Sequence, residues 1–143
     1  MDYIYPALFR PEPDGGYLVT FPDVPEAITQ GDDLADAWAS ASEVLGLALR
    51  GYLAGGRPLP RPSAAAEDHV MVPVDAADAL KLAVIEAFAA AAISKSEFGR
   101  RLGKGETEAR RILDPDHPTK LAALQAALRL LGKQVVVSVQ DAA

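Results

Sequence analysis

Residues 14–56 read DGGYLVTFPDVPEAITQGDDLADAWASASEVLGLALRGYLAGG, and within them the spacing of the apolar side chains changes from that of a strand to that of a helix. Tyr17, Val19 and Phe21 alternate with Leu18 and Thr20, which puts them on one side of an extended chain. The turn signal Asp14-Gly15-Gly16 separates this run from YIYPALFR at residues 3–10, itself rich in aromatic and branched side chains. Residues 3–21 therefore predict a β-hairpin. Pro22 and Pro25 turn the chain twice, a short strand fits at Ala27–Gln30, and Asp32 or Asp33 caps a helix whose positive end also favours Asp36. Leu34, Trp38, Ala41, Leu45, Ala48, Leu49 and Tyr52 recur at helical spacing, the stripe of an amphipathic helix packed on a sheet. Gly55 and Gly56 end it, and Pro58 prevents its continuation.

Outward from this stretch, GRPLPRPSAAAED at residues 56–68 has no periodicity and reads as a surface connection, after which HVMVPV at 69–74 returns as a strand to the same sheet. The expected domains are 1–74 and 75–143. From Asp75 the period is helical: Leu80, Val84, Ala87 or Phe88, and Ala91 line one face. Ser94 and Glu97 form a capping box for a second helix holding Phe98 and Leu102, closed by Gly103. The next helix starts near Gly105, with Ala109, Ile112 and Leu113 on one face and Thr107, Arg110, Arg111 and Asp114 on another. After the DPDHP loop Thr119 caps a last helix carrying Leu121, Leu124, Leu128 and Leu131, which Gly132 ends. QVVVSVQ at 134–140 places Val135, Val137 and Val139 on one side of a C-terminal strand, which has no obvious partner within a helical domain and is expected to pair with its counterpart in a second chain. The class is α+β: a small antiparallel sheet with a helix, then a helical domain with a closing strand.

The net charge of -6 over 143 residues hides an asymmetry. Met1–Pro73 carries four arginines against eleven acids, net -7, while Val74–Ala143 carries ten bases against nine acids, and seven of those ten fall between Lys95 and Lys120. One half suits a basic partner and the other a polyanion, although solvated faces account for such runs too. There is no cysteine, which excludes disulfides and cysteine-based metal sites and fits a reducing cytosol. Without a signal sequence or a membrane-length apolar run, the expectation is a soluble, cytoplasmic protein with no cofactor. Two halves of about 70 residues are each marginal alone, which favours a homodimer or higher homo-oligomer.

The two helices flanking Gly103 have the order of a helix-turn-helix, in which the second helix enters the major groove. Arg110 and Arg111 are candidates for phosphate or guanine contacts, Thr107 for a base or phosphate near the helix start, and Ser94, Lys95 and Ser96 for phosphate positioning, with Lys104 in the turn. Glu106 and Glu108 oppose phosphate unless paired, as Glu106 is with Arg110 four residues on. The competing reading is a helical module whose arginines only solvate its surface. Asp14, Asp23, Asp32, Asp33 and Asp36 each have a local turn or capping role, so no metal site is assigned. His69 and His117 stand in different domains, and no nucleophile, phosphate-loop or dinucleotide motif occurs.

The ordered set formed by DGGYLVTFPDVPEAITQGDDLADAWASASEVLGLALRGYLAGGRPLPRPS, VPVDAADALKLAVIEAFAAAAISKSEFGRRLG and the last helix resembles the HicB antitoxins that end in a helix-turn-helix. The resemblance implies a partial RNase H-like N-terminal domain without nuclease acids. It further implies that this domain masks HicA, a small basic mRNA-cleaving toxin, and that the C-terminal domain binds double-stranded operator DNA and represses the operon. No catalytic residue is expected. Asp23, Glu26 and Asp32 are the toxin-contact candidates, chosen for charge and loop position. Glu26-Ala27 departs from the family pattern, where a glycine follows the second proline, and Lys104-Gly105 departs from its apolar-then-serine helix start. Two rivals are a stand-alone regulator with a ligand-sensing N-terminal domain and a metal-dependent nuclease relying on Asp14 or Asp23.

Overall fold

The computed structural model describes residues 1–142. Their order is β1 (Ile4–Pro11), β2 (Tyr17–Thr20), β3 (Ile28–Gly31), α1 (Leu34–Ala54), β4 (Val70–Pro73), α2 (Ala76–Ala91), α3 (Lys95–Leu102), α4 (Glu106–Leu113) and α5 (Leu121–Leu130). The fold is α+β, and the chain divides into two compact units, Met1–Ala76 and the remainder from Ala77.

In the first unit the strands form one antiparallel sheet in the order β3-β2-β1-β4. The β1–β2 hairpin sets Leu8 opposite Thr20 and Phe9 opposite Val19. Its turn closes through the Glu12 N–H donating to Gly16 O and the Gly15 N–H donating to Glu12 O, both at 3.0 Å. Gly16 has φ +77, and a Cβ there would stand 2.5 Å from the carbonyl oxygen of Gly31, so only glycine fits. Tyr5, Ala7, Val19 and Val72 are buried on the side that meets α1.

From α1 the buried row is Ala37, Ala41, Leu45 and Leu49, at steps of four. This row is narrower than the expected stripe: Leu34 is exposed, and Trp38 and Tyr52 are half-buried. The Trp38 ring instead leans on Phe9, with centroids 5.2 Å apart. Alanine at 37 lets the helix start touch the sheet, where a Cβ on Gly31 would lie 2.3 Å from the Ala37 nitrogen. Asp33 is the cap: its carboxylate accepts from Asp36 N–H at 2.8 Å, and Asp36 accepts from Asp32 N–H at 2.9 Å.

The second unit is a helical cluster around Leu82, Val84, Phe98, Ile112, Leu124 and Leu128. Phe88 and Phe98 rings meet at 5.2 Å. α2 buries Lys81, Leu82, Ala83, Val84 and Ala87, so its inner face is turned from the expected stripe, with Ala91 left outside. Between α3 and α4, Gly103 takes φ +69 and the Lys104 N–H reaches back to Gly99 O at 2.8 Å.

One expectation for this unit is corrected. Thr119 does not cap α5, whose N-cap is Lys120 without a side-chain bond; the Thr119 hydroxyl is drawn to Lys81 instead. The expected C-terminal strand, which calls for a second chain, finds no partner within one: among the described residues no ladder follows α5, and Val136, Val137 and Val139 are 80–91% exposed. A strand needs partners for its N–H and C=O groups, and a helical cluster offers none.

Candidate functional site

α3 and α4 are two eight-residue helices joined through Gly103, Lys104 and Gly105. The turn is tight because Gly99 has no side chain: a Cβ there would stand 3.0 Å from Lys104 O and 3.2 Å from Gly105 O. Phe98 from α3 and Ala109 and Ile112 from α4 are buried, which fixes the two helices on the core and turns their remaining faces outward.

On those outward faces stand the residues singled out for nucleic acid. Ser94 is the cap of α3, its hydroxyl accepting from Glu97 N–H at 3.0 Å, and Lys95 and Ser96 follow it into solvent. Lys104 lies exposed in the turn, and Thr107, Arg110 and Arg111 are exposed on α4. The arginines are not bare. Arg110 donates to Glu106 at 3.1 Å and Arg111 lies 3.6 Å from Glu108.

α3 has the same arrangement with arginines that the sequence reading passed over. Arg100 holds Glu97 through two bonds, at 2.9 and 2.6 Å, and Arg101 adds a third at 2.8 Å. The Arg100 bonds first and then Arg101 pull the Glu97 carboxyl down to about 2. Glu97 therefore turns toward the arginines rather than completing the reciprocal half of its capping box. Glutamates three and four residues before arginines were the available signal.

Behind α4 lies the residue that sequence reasoning missed altogether. Lys81 on α2 is 4% exposed, and its ammonium donates to Arg111 O at 3.1 Å, Ile112 O at 2.9 Å and the Thr119 hydroxyl at 2.5 Å. Arg111 and Ile112 are in the last turn of α4, whose carbonyls have no helical donor. A cation there also meets the negative end of the helix. Burial pushes the ammonium down to about 8, against the opposing pull of Asp114. The available signal was a lysine three residues before Val84, within the apolar run LKLAVIEAF.

The acidic candidates of the first unit separate. Asp23 and Glu26 share the β2–β3 loop, and both bind the proline-rich segment 57–63, which runs past them as a strap. One Asp23 oxygen accepts from Ser63 N–H at 2.9 Å and Ser63 Oγ at 3.0 Å. Glu26 accepts from Tyr52 Oη at 2.6 Å and lies 3.9 Å from Arg57, whose guanidinium stacks 4.0 Å from the centre of the Tyr52 ring. The Tyr52 hydroxyl, then the Glu26 backbone, then Arg57 lower the Glu26 carboxyl, and the same bond raises Tyr52. Tyr5 Oη ties the strap again at Pro60 O, 2.7 Å. Asp32 stands apart, at the far end of β3 beside the α1 cap. Among the described residues no three histidine or carboxylate side chains converge on a metal position, and no helix is long and apolar enough to cross a membrane.

Residues 4–83 match the family described as the HicB-like antitoxin of bacterial toxin–antitoxin systems. The chain is 37% identical over 133 residues to Antitoxin HicB of Escherichia coli K12, covering 92% of this chain and 95% of that protein. To Antitoxin HicB 1 of Photorhabdus laumondii it is 33% identical over 136 residues, 95% of this chain and 86% of the relative. To Antitoxin HicB of Pseudomonas fluorescens it is 28% identical over 132 residues, 92% and 90% respectively.

Proposed function

The chain belongs to the HicB-like antitoxins of bacterial toxin–antitoxin systems, and from that premise we propose that it masks a HicA-type mRNA-cleaving toxin with its first unit and represses its own operon with its second. It has no catalytic activity of its own in this reading. The first unit acts as a partial RNase H-like scaffold, a sheet with one helix, and takes the toxin as a protein ligand.

The second unit acts as a helix-turn-helix. The observation that carries this half is the outward face of α4, where Thr107, Arg110 and Arg111 are exposed together while Ala109, Ile112 and Leu113 hold the helix on the core. α4 is the recognition helix, with Ser94, Lys95 and Ser96 at the start of α3 and Lys104 in the turn holding phosphates. The exposed valines after α5 form a strand only across two copies, giving a two-fold dimer whose recognition helices meet half-sites about one DNA turn apart.

Two measurements test the reading. A tagged full chain recovered from its native cells at low salt is expected to retain a stoichiometric small basic protein that cleaves mRNA when released; recovery of the chain alone refutes the masking half. Arg110→Ala with Arg111→Ala is expected to weaken operator binding and to lower the slope of log K against log salt by about 1–2, because fewer counterions are released. An unchanged affinity and slope removes α4 from the interface.

A further inference from the structure

An antiparallel sheet with one face in water alternates apolar and polar side chains. The side of this sheet that meets α1 already takes Tyr5, Ala7, Val19 and Val72, so the opposite positions should be polar. Several are not: Ile4, Pro6 and Leu8 precede Arg10 on β1, Leu18 precedes Thr20 on β2, Ile28 precedes Gln30 on β3, and Met71 precedes Pro73 on β4, so that Arg10 and Gln30 flank Leu18 while the remaining centre is apolar. The register sets them side by side, with Pro6 opposite Met71, Leu8 opposite Thr20, and Thr20 opposite Ile28. α1 is the one helix between Met1 and Pro73, and it lies on the other side. Ile28 is 57% exposed on an edge strand. Ile4, Leu8, Leu18 and Met71 are half-buried around the buried Pro6, and an apolar patch of this kind, rimmed by polar Arg10 and Gln30, marks an interaction surface.

Charge says what covers it. At one end of the sheet Asp2 precedes Ile4 and Asp75 follows Pro73, and these two strands are paired there. At the other end Glu12 and Asp32 continue β1 and β3. Met1–Ala76 holds four arginines against twelve acidic residues, a net charge of -8. A second copy laid face to face would bring these like charges together, whereas a cationic surface is attracted to them.

We propose that the side of the sheet opposite α1 is the docking surface for the basic toxin, with an apolar centre against Leu8, Leu18 and Met71 and cationic side chains against the carboxylates at the strand ends. This rests on the toxin-masking reading. It moves the contact away from Asp23 and Glu26, which hold the strap, and keeps Asp32 at its rim.

The test uses the full chain and the toxin that co-purifies with it. Leu18→Lys with Ile28→Lys, checked for folding by circular dichroism, is expected to weaken toxin binding by about 30-fold or more, the size of a lost hot spot. Asp32→Lys with Asp75→Lys, which leaves the apolar face alone, is expected to slow association about tenfold at low salt and less at high salt. Asp23→Asn is expected to leave the affinity unchanged. Full affinity in both lysine pairs overturns the docking surface while leaving the masking reading intact. So does a chain that loses its own oligomer, by sedimentation, while keeping toxin affinity, since the face then belongs to a second copy. A native chain that binds no toxin overturns the masking reading and this inference with it.

Discussion

Replacing Lys81 by methionine isolates what a buried ammonium does behind α4. Methionine keeps the unbranched stem, so packing around α2 is retained and only the charged head is lost. That head gives its protons to Arg111 O, Ile112 O and the Thr119 hydroxyl. Hydrogen bonds from a charged group net about 1.5–3 kcal/mol each, and an acceptor left buried without a donor costs about 1–3 kcal/mol. Against this, holding an ammonium out of water costs several kcal/mol, and the fall of the Lys81 pKa to about 8 is the sign of that burden. The balance is a loss of about 1–3 kcal/mol in the stability of the second unit. For a unit of this size that corresponds to a drop of roughly 7–20 °C in its melting temperature.

Trp38 is the one tryptophan and lies on α1, so its fluorescence follows the first unit, while hydrogen exchange of α4 and α5 follows the second. The expected result is faster exchange in α4 and α5 with the Trp38 transition unmoved. Thr119→Val should cost less, about 1 kcal/mol, and combining it with Lys81→Met should cost less than the sum, because both remove the same bond. Unchanged or slower exchange in Lys81→Met refutes the reasoning. Desolvation would then outweigh the three bonds, as it does where buried ion pairs are replaced by apolar side chains without loss.

The Glu97 carboxyl, held near 2 by Arg100 and Arg101, lies below its unfolded value, so its support of α3 is complete above about pH 4.5 and is lost as pH falls toward 2; a carboxylate NMR titration with a midpoint near 4.5 would show the arginines elsewhere. Gly99→Ala forces a Cβ against Lys104 O at 3.0 Å and should destabilise the second unit by about 1–3 kcal/mol in denaturant melts, an unaltered midpoint meaning that the turn relaxes freely. Asp23→Ala frees Ser63 and should speed proteolytic cutting within residues 57–69, with a cutting rate equal to the native one refuting its role as a clasp. Glu106→Gln with Glu108→Gln should tighten binding to non-operator duplex DNA and steepen its salt dependence, and an unaltered non-operator affinity would place the DNA elsewhere.

What was legible in the sequence was whatever obeys a local rule. The hairpin follows from Asp14-Gly15-Gly16 between apolar runs, the α1 start from Asp33, and the α3 end from Gly103, each a matter of neighbouring residues. The misses are long-range. Asp23 pairs with Ser63 forty positions on, and Lys81 meets Arg111, Ile112 and Thr119 thirty or more positions away. No spacing rule connects such residues, and once Lys81 takes the Thr119 hydroxyl, the threonine is lost as a cap although its local pattern favours one. The valines at 135–139 are the opposite case: their alternation is that of a strand, but a strand requires a second set of backbone groups that one chain does not supply.

The glutamates on α4 bear on how an acidic protein would choose an operator. In the free chain each α4 arginine faces a glutamate three or four residues before it, Arg110 at 3.1 Å from Glu106 and Arg111 at 3.6 Å from Glu108. Exposed pairs of this kind are worth at most about 1 kcal/mol, so they yield to a stronger partner. A bidentate contact with a guanine edge is worth about 1–3 kcal/mol of discrimination. A loosely held phosphate offers a single charge, and the same glutamates repel it. If α4 reads DNA as proposed, breaking these pairs takes at most about 1 kcal/mol each from any contact, which cancels a weak phosphate contact and leaves up to about 2 kcal/mol of a base contact. Because the pairing cost falls on both kinds of complex and leaves their ratio unchanged, the carboxylates that count against DNA binding on charge alone would sharpen specificity only through their repulsion of phosphates where no base is read.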